Sequence, residues 1–149
     1  MAKELTEREL ETWQKFLAVA TLLNHRVEQQ LKDQAGLSHP QYEVLIRLSR
    51  APEGELRMTE LAGIALTSKS GLSYQVTQLE RLGLVRRRRC ATDDRGIVAA
   101  LTDEGWAKVR ASRPGHVELV RELFVEGLDE KEFAGLGTAI DALAAQLRA

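Results

Sequence analysis

A chain of 149 residues with 21 basic and 22 acidic side chains, a net charge of −1, 44% hydrophobic residues and 29% charged ones has the composition of a single globular domain. At this length folding buries about 68–70% of the surface of the unfolded chain, so neither a disulfide nor a structural metal is required. The single cysteine, Cys90, excludes an intrachain disulfide and fits a reducing cytoplasm, while the charged N-terminus and an apolar run of only Phe16–Leu23 fit neither a signal peptide nor the ~20 residues of a membrane span.

Abundant Leu and Ala, with aromatics at 5%, favour helices. Leu10, Trp13, Leu17, Ala20, Leu23, Val27 and Leu31 recur at steps of three or four and predict a long amphipathic helix over 7–34, ended by Gly36. Ser38 and Gln41 form a capping box for a second helix whose inner face is Tyr42, Leu45, Ile46 and Ser49. A loop over 51–55 and a very short strand at Leu56-Arg57-Met58 follow. Thr59 is read as the N-cap of a short helix reaching about Leu66, and Ser68 as the N-cap of another over 69–82 that buries Leu72, Val76 and Leu79 and stops at Gly83. Strands at 84–90 and 97–101, joined by the polar turn 91–96, form a hairpin. Thr102 caps a helix with Trp106 and Val109 inside, which Pro114-Gly115 is expected to kink or interrupt. It resumes through Phe124 and closes at Gly127. Asp129 and Glu132 then cap a last helix, whose Phe133, Leu136, Ile140, Leu143 and Leu147 make a coiled-coil-like seam.

The fold class expected is therefore mainly α with a small β wing, a winged helix-turn-helix over 38–101 flanked by dimerisation helices over 7–34 and 103–147. Terminal helices that each carry an apolar stripe have too little partner surface within one subunit, which favours an isologous homodimer.

Residues 57–95 carry eight basic side chains and four acidic ones, so a basic middle lies between acidic ends. That distribution suits a nucleic-acid footprint. In a helix-turn-helix the second helix enters the major groove with its N-terminal residues nearest the base edges. Here those are Ser68, Lys69, Ser70, Gly71, Ser73, Tyr74, Gln75 and Thr77. Gln pairs bidentately with adenine, Ser and Thr suit several bases, and Lys reaches guanine or phosphate. On the wing, Arg86 to Arg89 alternate between two faces of a strand, so about two of the four meet DNA, with Arg87, Arg88 and Arg89 taken as candidates. Arg95 at the hairpin tip is the best candidate for the minor groove, and Asp93 is read as a brace that pairs with an arginine such as Arg87.

Glu60-Leu61-Ala62, Ser68-Lys69-Ser70, the run from Leu79 to Arg87, Asp93-Asp94-Arg95 and Leu101-Thr102-Asp103-Glu104-Gly105 resemble the MarR family of bacterial regulators across essentially the whole chain. The resemblance implies a dimer built from the first helix and the last two, binding double-stranded DNA at a pseudo-palindromic site, usually as a repressor relieved by a small molecule. Asp93 and Arg95 fall on the family's wing pair. Cys90 and Gly96 depart from it, where Asp or another polar residue and a second basic residue are common.

Three other readings are weighed. Cys90 beside arginines suits a redox switch, but the family's peroxide sensors carry their cysteine near the N-terminus, which favours an inert thiol. Trp13, Phe16, Tyr42 and Trp106 are candidates to line a pocket for an aromatic or phenolic ligand, against a plain core role. His25, His39 and His116 have no zinc spacing and read as surface or cap residues. No Gly-rich phosphate loop, G-x-S-x-G or H-E-x-x-H occurs, so the expectation is a cytoplasmic regulator without cofactor or metal rather than an enzyme. A protein-interaction adaptor, the remaining alternative, would need no arginine at the wing tip.

Overall fold

A computed structural model describes residues 2–64, 69–90 and 93–148, with side chains for all of these except 63, 64, 69 and 93–95. The first helix, α1 (Glu7–Ala35), starts at Thr6, whose hydroxyl accepts from the Glu9 N–H (3.2 Å) while the Thr6 N–H donates to Glu9 Oε2 (2.7 Å). It ends at Gly36, whose φ of 65° is the left-handed conformation that glycine adopts without a Cβ penalty. Helix α2 (His39–Arg50) is capped by Ser38 and Gln41 in the expected box. A single 3-10 turn, Pro52–Gly54, leads into strand β1 (Glu55–Arg57).

Helix α3 (Met58–Ile64) begins two residues earlier than Thr59 as the N-cap implies. Arg57 takes the cap position, and Glu60 reaches back to accept from its N–H (3.4 Å). The carboxylate at the third helical residue thus supplies the reciprocal half of a capping box, satisfying the backbone N–H of the cap residue. Helix α4 (Lys69–Arg81) turns its apolar row Leu72, Val76 and Leu79 into the core. Gly83 at φ 76° lets the chain reverse, with Leu84 N–H donating to Leu79 O (3.0 Å). Strands β2 (Val85–Cys90) and β3 (Asp93–Leu101) then form an antiparallel sheet with β1, in the order β1-β3-β2. The ladder runs from Val85 opposite Leu101 to Arg89 opposite Ile97, then shifts register so that Cys90 faces Asp93. Strand β3 thus already begins at Asp93, within the expected turn of 91–96.

Helix α5 (Asp103–Val120) is capped by Thr102, which accepts from the Gly105 N–H (3.0 Å). It runs on through Pro114 without the interruption that was one of the two expected outcomes; a π-helical turn follows later, over Arg121–Val125. Packing on both sides outweighs the lost hydrogen bond. Val109 and Ser112 are buried before the proline, Leu119 packs on the core after it, and Gly115 lies so close to Gln30 and Gln34 of α1 that a Cβ would collide with both amides. Helix α6 (Glu130–Arg148) opens on the Asp129–Glu132 box.

One core holds these elements together: Val27 and Leu31 of α1, Tyr42, Leu45 and Leu48 of α2, Leu61 of α3, the α4 row, Val85 and Ala99 of the sheet, and Val109 of α5. The ends of the chain stay outside it. No residue of α6 is buried, and of the predicted α1 stripe only Val27 and Leu31 are.

Candidate nucleic-acid interface

Helix α4 is held by its buried row so that its opposite side faces outward. Ser70, Ser73 and Tyr74 are exposed there, and Gln75 and Thr77 are half-buried at the margin. Ser68 and the side chain of Lys69 lie outside the described residues. Beside α4, β2 forms the outer edge of the sheet and carries the four arginines.

These arginines have distinct fates. The Arg87 guanidinium is turned onto α4. Its Nη1 donates to Glu80 Oε1 (2.6 Å) and Thr77 Oγ1 (2.9 Å), and its Nη2 to the Ser73 carbonyl (2.7 Å) and Ser73 Oγ (3.1 Å). The Arg87 backbone N–H donates to the other Glu80 oxygen (3.3 Å). On the opposite face, Arg88 reaches across β3 to Glu55 of β1 (2.5 Å), and that bond, with the carboxylate's charge, holds its pKa above the usual arginine value. Arg86 and Arg89 are exposed.

Two expectations change as a result. Arg87 and Arg88, read from sequence as DNA contacts, are each committed to a carboxylate of their own chain. Arg87, one arginine that Asp93 was read to brace, is held by Glu80; the side chains of Asp93 and Arg95, and so the brace itself, lie outside the described residues. Glu80 and Glu55 escaped the sequence reading because counting charges does not pair them. Between α3, α4 and the wing, Met58, Ala62, Leu72 and Ile97 line an apolar groove of about 540 Å³ with Ser73 and Arg87 at its lip. Cys90 is half-buried, and its sulfur accepts from Arg57 Nη2 (3.4 Å).

The four aromatics proposed for one pocket lie in three places. Trp13 and Phe16 stack on each other (centroids 6.4 Å apart) and, with Leu136, Ile140 and Leu143 of α6, line a groove of about 700 Å³. Tyr42 is buried under α5 with its ring 4.4 Å from that of His116. Trp106 covers Gly54, where a Cβ would strike its indole. Helical rise explains the separation: Trp13 precedes Val27 by 14 residues, about 21 Å along α1.

A polar recess of about 140 Å³ adjoins Tyr42, lined by Glu43, Arg47, Arg50, Arg113 and His116. His39 and His116, read as scattered, have ring centroids 6.3 Å apart here. Burial holds the His116 pKa below its ordinary value, the nearby His39 adds to this, and Glu43 opposes it. His116 Nδ1 is buried with no partner among the described residues. His39 bonds the Glu43 carboxylate and lowers its pKa, and Tyr42 is raised, mainly by burial. Residues 74 positions apart in sequence gave no signal of this cluster.

Comparison with known proteins places this geometry. Residues 35–96 match the model of the MarR family. The fold superposes on Sco3205 of Streptomyces coelicolor, a MarR family transcriptional regulator solved in complex with DNA, with a TM-score of 0.97 and 38% identity, covering 100% of this chain and 93% of that one. AbsC, a MarR family transcriptional regulator of the same organism, gives a TM-score of 0.94 and 37% identity over 99% of each chain. The HTH-type transcriptional repressor YetL of Bacillus subtilis (strain 168) is 29% identical over 123 residues, 83% of this chain and 73% of its own length.

Proposed function

The chain belongs to the MarR family of transcriptional regulators, and from that premise we propose that it works as a homodimer whose two winged helices read neighbouring turns of one pseudo-palindromic duplex. One observation carries the reading: a polar α4 face bordered by exposed wing arginines sits on a module whose end helices keep their apolar rows uncovered. Trp13 and Phe16 are each 53% exposed, and Ile140 and Leu143 are 42% and 54% exposed. A second copy of the same surface covers such rows by two-fold symmetry. Pairing the end helices sets the two α4 helices at a fixed spacing, which a palindrome of matching half-sites satisfies.

Ser70, Ser73, Tyr74 and Gln75 face the base edges in this arrangement, Arg89 the phosphates, and Arg95 the minor groove. Repression relieved by a small aromatic or phenolic molecule completes the proposal. The groove of about 540 Å³ is in the size range of ligand sites, whereas the 140 Å³ recess is too small and the groove between α1 and α6 is taken up by the partner helices.

Binding to duplex DNA over a salt series tests the core of the reading. Each phosphate neutralised contributes about −0.9 to the slope of log affinity against log salt. A steep linear fall supports it; a flat response overturns it.

A further inference from the structure

We propose that Arg87 is a positioning residue: with Glu80 it locks the wing to the recognition helix and so sets base specificity, and it makes no phosphate contact. This rests on the reading of α4 and the wing as the DNA-contacting surfaces. A guanidinium has five N–H donors, of which the two terminal nitrogens carry four. In Arg87 those two nitrogens make four hydrogen bonds, to Glu80, Thr77 and twice to Ser73. Donating both of these groups to a phosphate would mean breaking the set.

The surroundings are built for the same purpose. Among the described residues strand β2 pairs only with β3, so alternate backbone groups along its outer edge lack a ladder partner there. Glu80 Oε2 accepts from the Arg87 N–H on that edge while Oε1 accepts from the side chain, so one carboxylate grips both. The ion pair is only 24% and 32% exposed at its two side chains, which shields it from salt. The Thr77 hydroxyl accepts from Arg87 and donates to the Ser73 carbonyl (2.9 Å), so both of its polar functions are used within the protein. Specificity along α4 therefore falls to residues other than Thr77, presented in a frame that the Arg87–Glu80 pair holds in register with the wing.

The test uses the full chain with two probes: a 20-base-pair duplex enriched by the parent protein from a randomised pool, and bulk mixed-sequence duplex. Arg87→Lys keeps the charge but cannot span the three partners. Glu80→Gln removes a negative charge near DNA. Both are expected to cut the preference for the selected duplex at least tenfold and to leave the salt slope as it was. Tighter binding of both duplexes by Glu80→Gln, or unchanged preference in Arg87→Lys, would overturn the proposal, since simple charge then suffices. Amide hydrogen exchange over 85–90 in the DNA-free protein reads the lock directly: faster exchange in both variants supports it, and parental rates overturn it. If the parent enriches no duplex, the DNA reading falls and the exchange rates still decide the lock. Should Glu80→Gln not fold, Thr77→Val deletes one bond and keeps the ion pair, with the same read-outs at smaller amplitude.

Discussion

Gly105→Ala puts a sharp sign on the packing argument at the junction between wing and α5. Gly105 is the third residue of α5, and a methyl group there gains about 1 kcal/mol of helix propensity over glycine. Propensity alone therefore makes the variant more stable. The structure reverses that expectation. The Cβ would be driven into the backbone carbonyl of Leu84, with the Leu101 side chain also in contact. That carbonyl cannot swing aside, because it accepts from the Thr102 N–H (3.1 Å), while the Thr102 hydroxyl donates to Gly83 O (2.6 Å). Overpacking of this kind costs about 1–3 kcal/mol, and displacing α5 also weakens the bond from the Gly105 N–H to the Thr102 hydroxyl, about 1 kcal/mol more. The net loss is about 1–3 kcal/mol, a fall in Tm of about 2–12 °C for a chain of this size. Thermal unfolding followed by circular dichroism at one fixed protein concentration measures it. A variant that melts at or above the parent refutes the reasoning, since the junction would then have room for the methyl.

Three further outcomes are expected. Leu31→Ala, at a fully buried side chain of α1, should cost about 2–5 kcal/mol in denaturant unfolding, whereas Leu147→Ala, 83% exposed, should cost far less in dilute monomer. His116 has a folded-state pKa below that of the unfolded chain, so the unfolded state binds the extra proton; stability is full above about pH 6.5 and falls as the solution is acidified through the window between the two values. Unfolding midpoints between pH 7 and 5 should show that slope, and His116→Leu should flatten it. Phe16→Glu, placing a charge in the groove between α1 and α6, should convert a dimer to monomer in sedimentation at micromolar concentration with the core intact; a variant that still sediments as dimer argues for another interface.

Helices and their ends were legible because local chemistry decides them. Ser38 with Gln41, Asp129 with Glu132, and Gly36 at a left-handed φ each act within a few residues of one another. The apolar row of α4 likewise assigned its buried face. What escaped the reading depends on distant partners. Pro114 sits inside a continuous helix because the two glutamines of α1 and the core meet α5 around it. The pairing of Arg87 with Glu80 and of Arg88 with Glu55 depends on how β2 lies on α4 and how β1 enters the sheet, which no local pattern encodes. The aromatic quartet failed for a related reason. Trp13, Phe16, Tyr42 and Trp106 share a residue type without sharing an address, and the histidine cluster at Tyr42 is the converse.

The 29 residues of α1 form one rod about 43 Å long, seated in the core only near its C-terminal end. Mechanically it is an oar with its lock at Val27 and Leu31 and its blade at Trp13. A rotation of about 5° about that lock sweeps the blade by about 2 Å, since the arm is about 21 Å long. Run in reverse, a fixed blade turns a small change in the lock into a change of attitude for α2 and everything packed on it. In the homodimer proposed above, a change around Tyr42 and His116, beside the lock, would therefore alter the distance between the two α4 helices rather than the chemistry of any single contact.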